Sequence, residues 1–163
     1  MSQVEHQSVL TDEMVAEIKA LFPRYPSRQA VTLPALHIVH ERLRCVPLSA
    51  VVEIAQLLEL APSQVQDTLS FYGFFKQDQP HGRTRAWVCR SISCSLREGE
   101  DLLVYLCDRL GIAVGETTAD GRITVEAAEC LGGCEHAPCM LAGDTLHREL
   151  TKEKIDRFLD SLE

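Results

Sequence analysis

Apolar residues recur at helical spacing through the first half of the chain. Met14, Ile18 and Leu21 fall at i, i+4 and i+7, which places them on one face of an α-helix. Leu36, Val39 and Leu43 form a second stripe, with Pro34 early in that helix or kinking it. Val51, Ile54 and Leu58 form a third, for which Ser49 is the expected N-cap. The fourth opens at Ser63-Gln64-Val65-Gln66 after Pro62, a fit to the S-x-x-Q capping box, and Val65, Leu69 and Tyr72 share its apolar face. Four short amphipathic helices predict a small bundle over residues 1–75.

The pattern then changes. Residues 76–84, KQDQPHGRT, hold Pro80 and Gly82 and no large apolar side chain, which predicts a linker. Beyond it, Ala86–Cys89 predicts a short strand, and Leu103, Leu106 and Leu110 predict a helix over residues 96–110. Ile123, Val125 and Ala127 alternate with Thr124 and Glu126, the period-two pattern of a strand. Residues 139–149 predict a hairpin around Gly143-Asp144. Thr151 is placed to cap a last helix with the stripe Ile155, Phe158, Leu159 and Leu162. Residues 85–163 therefore read as a β-α-β-β-β-α domain, and the whole chain as α/β with a helical amino-terminal bundle.

Charge and hydropathy narrow the functional classes. Sixteen Lys and Arg stand against 24 Asp and Glu, a formal net charge of −8, so phosphate backbones and anionic membrane surfaces are disfavoured as partners. No apolar run approaches the ~18 residues of a membrane span. The opening MSQVEHQSVLTDE lacks the basic and apolar regions of a signal peptide and the arginines of a transit peptide, so a cytoplasmic location is expected. There is no G-x-G-x-x-G and no Walker loop, so nucleotide and hydride chemistry belong on another polypeptide.

The seven cysteines carry the chemistry. They stand at 45, 89, 94, 107, 130, 134 and 139. An odd number without an export signal argues against a disulfide framework and for metal or redox use. Cys89-x4-Cys94 ends the first predicted strand, and Cys130-x3-Cys134 ends the strand after the crossover helix. A β-α-β crossover makes those strands parallel neighbours, ~4.8 Å apart, with both pairs at the carboxyl edge of the sheet. Four thiolates so placed suit a compact inorganic centre. A 2Fe–2S cluster, a four-cysteine zinc site and unliganded cysteines all stay open on the chemistry. A thioredoxin-type C-x-x-C and the plant-type ferredoxin spacing are both absent. Gly132 and Gly133, Arg90 and Arg97, and a helix N-terminus just after Cys94 would favour an anionic centre.

The strings VCRSISC, GETTADGRIT and ECLGGCEHAP, with SFYGFF at 70–75 and PHGR at 80–83, resemble the thioredoxin-like 2Fe–2S subunit of NADH:quinone oxidoreductase (respiratory complex I). Relatives of that subunit serve NAD-reducing hydrogenases and NAD-dependent formate dehydrogenases. The resemblance runs from about residue 10 to the end. It implies a thioredoxin-like domain and one 2Fe–2S cluster held by Cys89, Cys94, Cys130 and Cys134, the first two on one iron and the last two on the other. It also implies an electron-transfer subunit of an NADH dehydrogenase, with no flavin or NAD of its own. Its partner would be an NADH- and FMN-binding subunit, which would make the chain peripheral to the inner membrane through that complex. The same relay in a hydrogenase or formate dehydrogenase is the alternative. A structural adaptor stapled by a four-cysteine zinc site is the alternative of a different class.

One position departs from the family. An aliphatic residue or Met usually follows the Ala-Pro; here it is Cys139. Cys134-x4-Cys139 repeats the spacing of the first pair, so a swapped ligand competes, but Pro138 and the following strand are expected to aim Cys139 into the sheet. Cys107 and Cys45 read as packed thiols, and His136 as a residue that tunes the centre by hydrogen bonding. Phe71, Tyr72, Phe74 and Phe75 read mainly as core, with part of the run closing a seam or meeting a partner.

Overall fold

The computed structural model describes residues 8–77 and 79–162. The residues read for a leader, 1–7, lie outside that range, as does Asp78 within the expected linker. The chain divides into two compact units, residues 1–80 and 81–163.

In the first unit the four expected helices form. They are α1 (Asp12–Leu21), α2 (Thr32–Leu43), α3 (Leu48–Leu58) and α4 (Pro62–Phe71). Their stripes meet in one core, where Met14, Ile18, Leu36, Val39, Val51, Ile54, Leu58, Val65 and Leu69 are all buried. Thr11 caps α1, its hydroxyl accepting from Met14 N–H. The Glu53 carboxylate reaches back to the amides of Val9 and Leu10, at 2.9 and 2.8 Å, and so ties the segment before α1 to α3.

Two expected caps differ. α3 starts at Leu48 behind Pro47, so Ser49 lies inside the first turn and caps nothing. α4 starts at Pro62, making Ala61 the N-cap. Only half of a capping box survives there, the Gln64 side chain accepting from Ala61 N–H at 3.0 Å. In both cases a proline, pre-set for the start of a helix, moves the boundary ahead of the serine. The aromatic run is a further correction. Phe75 is buried, but Phe71, Tyr72 and Phe74 are exposed, and Tyr72 leaves the helix with extended backbone. Phe74 and Phe75 instead stack with His37 and His40, with ring centroids 5.0–5.5 Å apart.

The second unit runs β1 (Thr84–Cys89), α5 (Ile92–Ser95), α6 (Gly99–Leu110), β2 (Ile123–Ala128), β3 (Met140–Ala142), β4 (Thr145–His147) and α7 (Lys152–Asp160). The sheet order is β2-β1-β3-β4. β1 and β2 are parallel, as the crossover requires, and β3 and β4 form the antiparallel hairpin. Gly143 turns that hairpin with φ +55°, a conformation glycine adopts at no steric cost. Alternation sends Ala86, Val88, Ile123, Val125, Met140 and Ala142 to the core, against Leu103, Leu106 and Cys107 of α6 and Ile155 and Phe158 of α7. Thr151 caps α7 as expected, accepting from Lys154 N–H.

On the opposite pleat Arg85 pairs with Glu126 of the neighbouring strand, and the same carboxylate accepts from Trp87 Nε1 at 2.8 Å. The helix expected over 96–110 forms as α6 and starts at Gly99. Glu98 takes the left-handed conformation, φ 63°, between the short α5 and α6. Cys94 therefore lies inside the short α5, five residues ahead of α6. Among the described residues, no helix is long and apolar enough to cross a membrane.

Candidate metal centre

Cys89 is the last residue of β1 and stands opposite Ala128, the last of β2. Both chains thus leave the sheet at one end. The first loop, Arg90–Ser91, leads into α5 and Cys94. The second loop, Glu129–Gly133, carries Cys130 and leads into a 3₁₀ turn, Cys134–His136. Backbone hydrogen bonds fix the two exits. Arg90 N–H donates to Ala128 O at 2.8 Å, and Cys89 N–H donates to Cys139 O at 3.0 Å.

Two glycines make the approach of these loops possible. A Cβ on Gly99 would stand 2.7 Å from the Cys94 carbonyl oxygen and 3.0 Å from that of Cys89. The start of α6 therefore packs directly on the backbone of the first pair, which only a residue without a side chain allows. Gly132 turns the second loop with φ +73°.

The thiols fall into two pairs. Cys130 and Cys134 are exposed, with sulfurs 4.0 Å apart. That is close to the ~3.8 Å that a ~2.3 Å metal–sulfur bond and tetrahedral angles impose on two thiolates sharing one metal. Cys89 and Cys94 are buried in a small satellite core with Ala137, Cys139, Leu131 and Leu146. Among the described residues, no single group of three or more Cys, His, Asp and Glu side chains is gathered for one ion.

Burial, and then the hydrogen-bonded Cys89 thiol, push the Cys94 thiol up to about 12. Cys134 is also raised, chiefly by its hydrogen bond and charge interaction with Cys130, and it feels the charge of Cys89 as well. The register that sets Cys89 opposite Ala128 makes the two pairs neighbours. Cys94 and Cys134, so raised, are held protonated when nothing compensates them. Metal ions supply that compensation, and thiolate is the form that binds them.

The surroundings fit an anionic sulfur centre. The Ser93 hydroxyl, on α5, offsets part of the rise at Cys134 in the 3₁₀ turn. Arg97 Nη1 donates to Ala137 O at 3.3 Å and bridges the two loops. The donor set is soft and comes as two pairs on adjoining loops, as a two-iron cluster with two thiolates per iron requires.

Other expectations fare differently. Arg90 does not face the thiols but pairs with Glu129 at 2.6 Å on the surface. The N-terminus of α6 abuts the carbonyls of Cys89 and Cys94. Cys107 is buried in the sheet–helix core as expected, and Cys45 is half-buried. His136 stands 3.7 Å from Glu149, and its carbonyl accepts from the Cys139 thiol. Gly99 and Ser93 were not legible as site residues, because Gly99 acts through the tight local packing of α6 on the first pair and Ser93 through a residue distant in sequence. The one sequence signal was a glycine at a predicted helix start near a cysteine.

The model of the thioredoxin-like [2Fe-2S] ferredoxin family matches residues 18–163. The chain belongs to the thioredoxin-like [2Fe-2S] ferredoxin family. Its relatives are subunits of oxidoreductases. It is 39% identical over 148 residues to an NADH-quinone oxidoreductase subunit of Rhizobium meliloti (strain 1021), covering 91% of this chain and 88% of that protein. It is 34% identical to NADH-quinone oxidoreductase subunit 2 of Thermus thermophilus, over 89% of this chain and 81% of that one. Among solved structures, an NAD+-reducing [NiFe]-hydrogenase in the air-oxidised state superimposes with a TM-score of 0.68 at 27% identity. The match covers 79% of this chain but only 22% of the hydrogenase chain.

Proposed function

We propose that this chain is the single-electron carrier of an NADH-oxidising complex, with one 2Fe–2S cluster held by Cys89 and Cys94 on one iron and Cys130 and Cys134 on the other. The observation that carries the reading is the meeting of two cysteine pairs at the carboxyl ends of the parallel strands β1 and β2, in a member of a 2Fe–2S family. The cluster, when bound, accepts and returns one electron at a time. Each residue has a part in holding it. The four thiols lose their protons on loading. Cys89 and Cys94 hold the buried side, where water is excluded. Cys130 and Cys134 form the exposed side, the side open to an electron partner. The Ser93 hydroxyl supplies a donor that stabilises added negative charge on the Cys134 sulfur.

The chain carries no nucleotide fingerprint, so hydride chemistry falls to a partner. We assign that partner as the NADH- and FMN-binding subunit of the same complex, which takes hydride from NADH as an electron pair and passes electrons on singly. The helical unit, residues 1–75, is assigned to docking on that subunit, and residues 85–163 to carrying the cluster. The curated relatives, which the chain matches over nearly their whole length, favour an NADH:quinone oxidoreductase. The complex purified from its native host tests this. On rapid mixing with NADH, the reduced-cluster signal of this chain should appear in the intact complex and be absent once flavin is removed. Absence of any flavoprotein in the purified complex would overturn the partnership.

A further inference from the structure

Cys139 is the residue at this centre that the four-thiol ligand set leaves without a role. It is 1% exposed, and it packs with Cys89, Cys94 and Ala137 beneath the second loop. Its contacts reach both ligand loops. Its carbonyl accepts from Cys89 N–H at 3.0 Å. Its sulfur stands 3.1 Å from Gly133 O and 3.2 Å from His136 O. Two carbonyl oxygens at that range require S–H as donor, since a thiolate there would face lone pairs only. Gly133 rests so closely on the sulfur that a Cβ on it would come within 3.0 Å of Cys139 Sγ and 3.1 Å of Leu146 Cδ2. The 3₁₀ turn carrying Cys134 lies between the two carbonyls that Cys139 engages.

We propose that Cys139 is a positioning residue, not a ligand: its protonated thiol shares its one hydrogen between the Gly133 and His136 carbonyls and so fixes the loop that presents Cys130 and Cys134. The proposal rests on the ligand set assigned above. The clamp acts at both ends of the turn, so losing it frees Cys134 while the covalent pattern of four ligands stays intact. A hydroxyl at the same place can donate to the same carbonyls; a methyl group cannot.

The full chain, with and without its cluster, tests this in Cys139→Ser and Cys139→Ala. In the loaded protein, Cys139→Ala should release iron to a chelator about threefold to tenfold faster, the range that losing one buried hydrogen bond sets. It should also shift the g-values of the reduced signal, whereas Cys139→Ser stays close to wild type in both. In the metal-free chain, the amides of His136 and Ala137 should exchange faster in Cys139→Ala and not in Cys139→Ser. Should Cys139→Ala fail to fold, Cys139→Val, which keeps bulk and removes the donor, takes its place with the same expectations. Wild-type behaviour of the donor-less variant in release, spectrum and exchange would overturn the clamp. Loss of the cluster from folded Cys139→Ser and the donor-less variant alike would make Cys139 a ligand. A wild-type chain that holds no iron and sulfide would instead refute the underlying reading.

Discussion

At the scale of single residues, the four assigned ligands separate sharply from the other thiols. Serine at Cys89, Cys94, Cys130 or Cys134 replaces a soft thiolate by a hard oxygen donor, and the visible and paramagnetic spectra should be lost or strongly altered. Serine at Cys107 should leave the spectra unchanged and cost about 1–3 kcal/mol of stability, because a hydroxyl then lies in the sheet–helix core. Gly99→Ala makes the same point without touching sulfur. Its Cβ would press on the backbone carbonyls of Cys94 and Cys89, so the first pair must spread, and cluster yield on reconstitution should fall severalfold by iron analysis while the helical unit keeps its circular dichroism. The cysteine pairs were legible because spacing and strand order are written in the chain. Gly99, Ser93 and the clamp of Cys139 were not: Gly99 and Cys139 act through the local fold of their own loops, which spacing does not reveal, and Ser93 acts on Cys134, distant in sequence, once β1 and β2 lie side by side.

Among the elements, stripes at i, i+3 or i+4, and i+7 located all four helices of the first unit, and alternation located β2. Apolar periodicity reports which face is buried, and burial decides whether an element forms. Boundaries followed a different physics. Pro47 and Pro62 set the starts of α3 and α4 ahead of the serines that looked like caps. The break at Glu98 was hidden because a helical pattern runs through it, while the close approach of Gly99 to the first loop forces the turn. Phe71 and Tyr72 were misread as core because apolar character alone does not say which end of a helix stays covered.

At the hairpin and last helix, His147 of β4 packs edge-on against Phe158 of α7, with centroids 5.1 Å apart. Burial lowers its affinity for a proton relative to the ordinary value near 6.5. The unfolded chain then binds more protons below that pH, so stability present above it is lost as pH falls through the lowered folded value. Arg148, Lys154 and Arg157 line the same hollow. Denaturant titrations of the metal-free chain at stepped pH should show this loss, and His147→Gln should flatten it.

Over the whole molecule, two units have separate cores. Every assigned ligand and every donor around it falls within residues 89–139, inside the second unit. Deleting residues 1–75 should therefore leave the cluster spectrum intact while weakening co-purification with the flavin subunit and slowing reduction by NADH. A truncated chain that assembles and is reduced as well as the full one would remove the docking role. The division into a helical part and a cysteine-bearing α/β part was readable from the change of periodicity at the Pro80 and Gly82 stretch, since each part has its own repeat and its own apolar face. The central claim is that two cysteine pairs on neighbouring strands hold one two-iron centre. Its most direct test is iron, zinc and acid-labile sulfide analysis of the anaerobically purified full chain, with electron paramagnetic resonance before and after dithionite. Two iron and two sulfide per chain, silent when oxidised and giving a half-spin signal when reduced, is the predicted result; stoichiometric zinc without sulfide, in protein made with iron in excess, would contradict it.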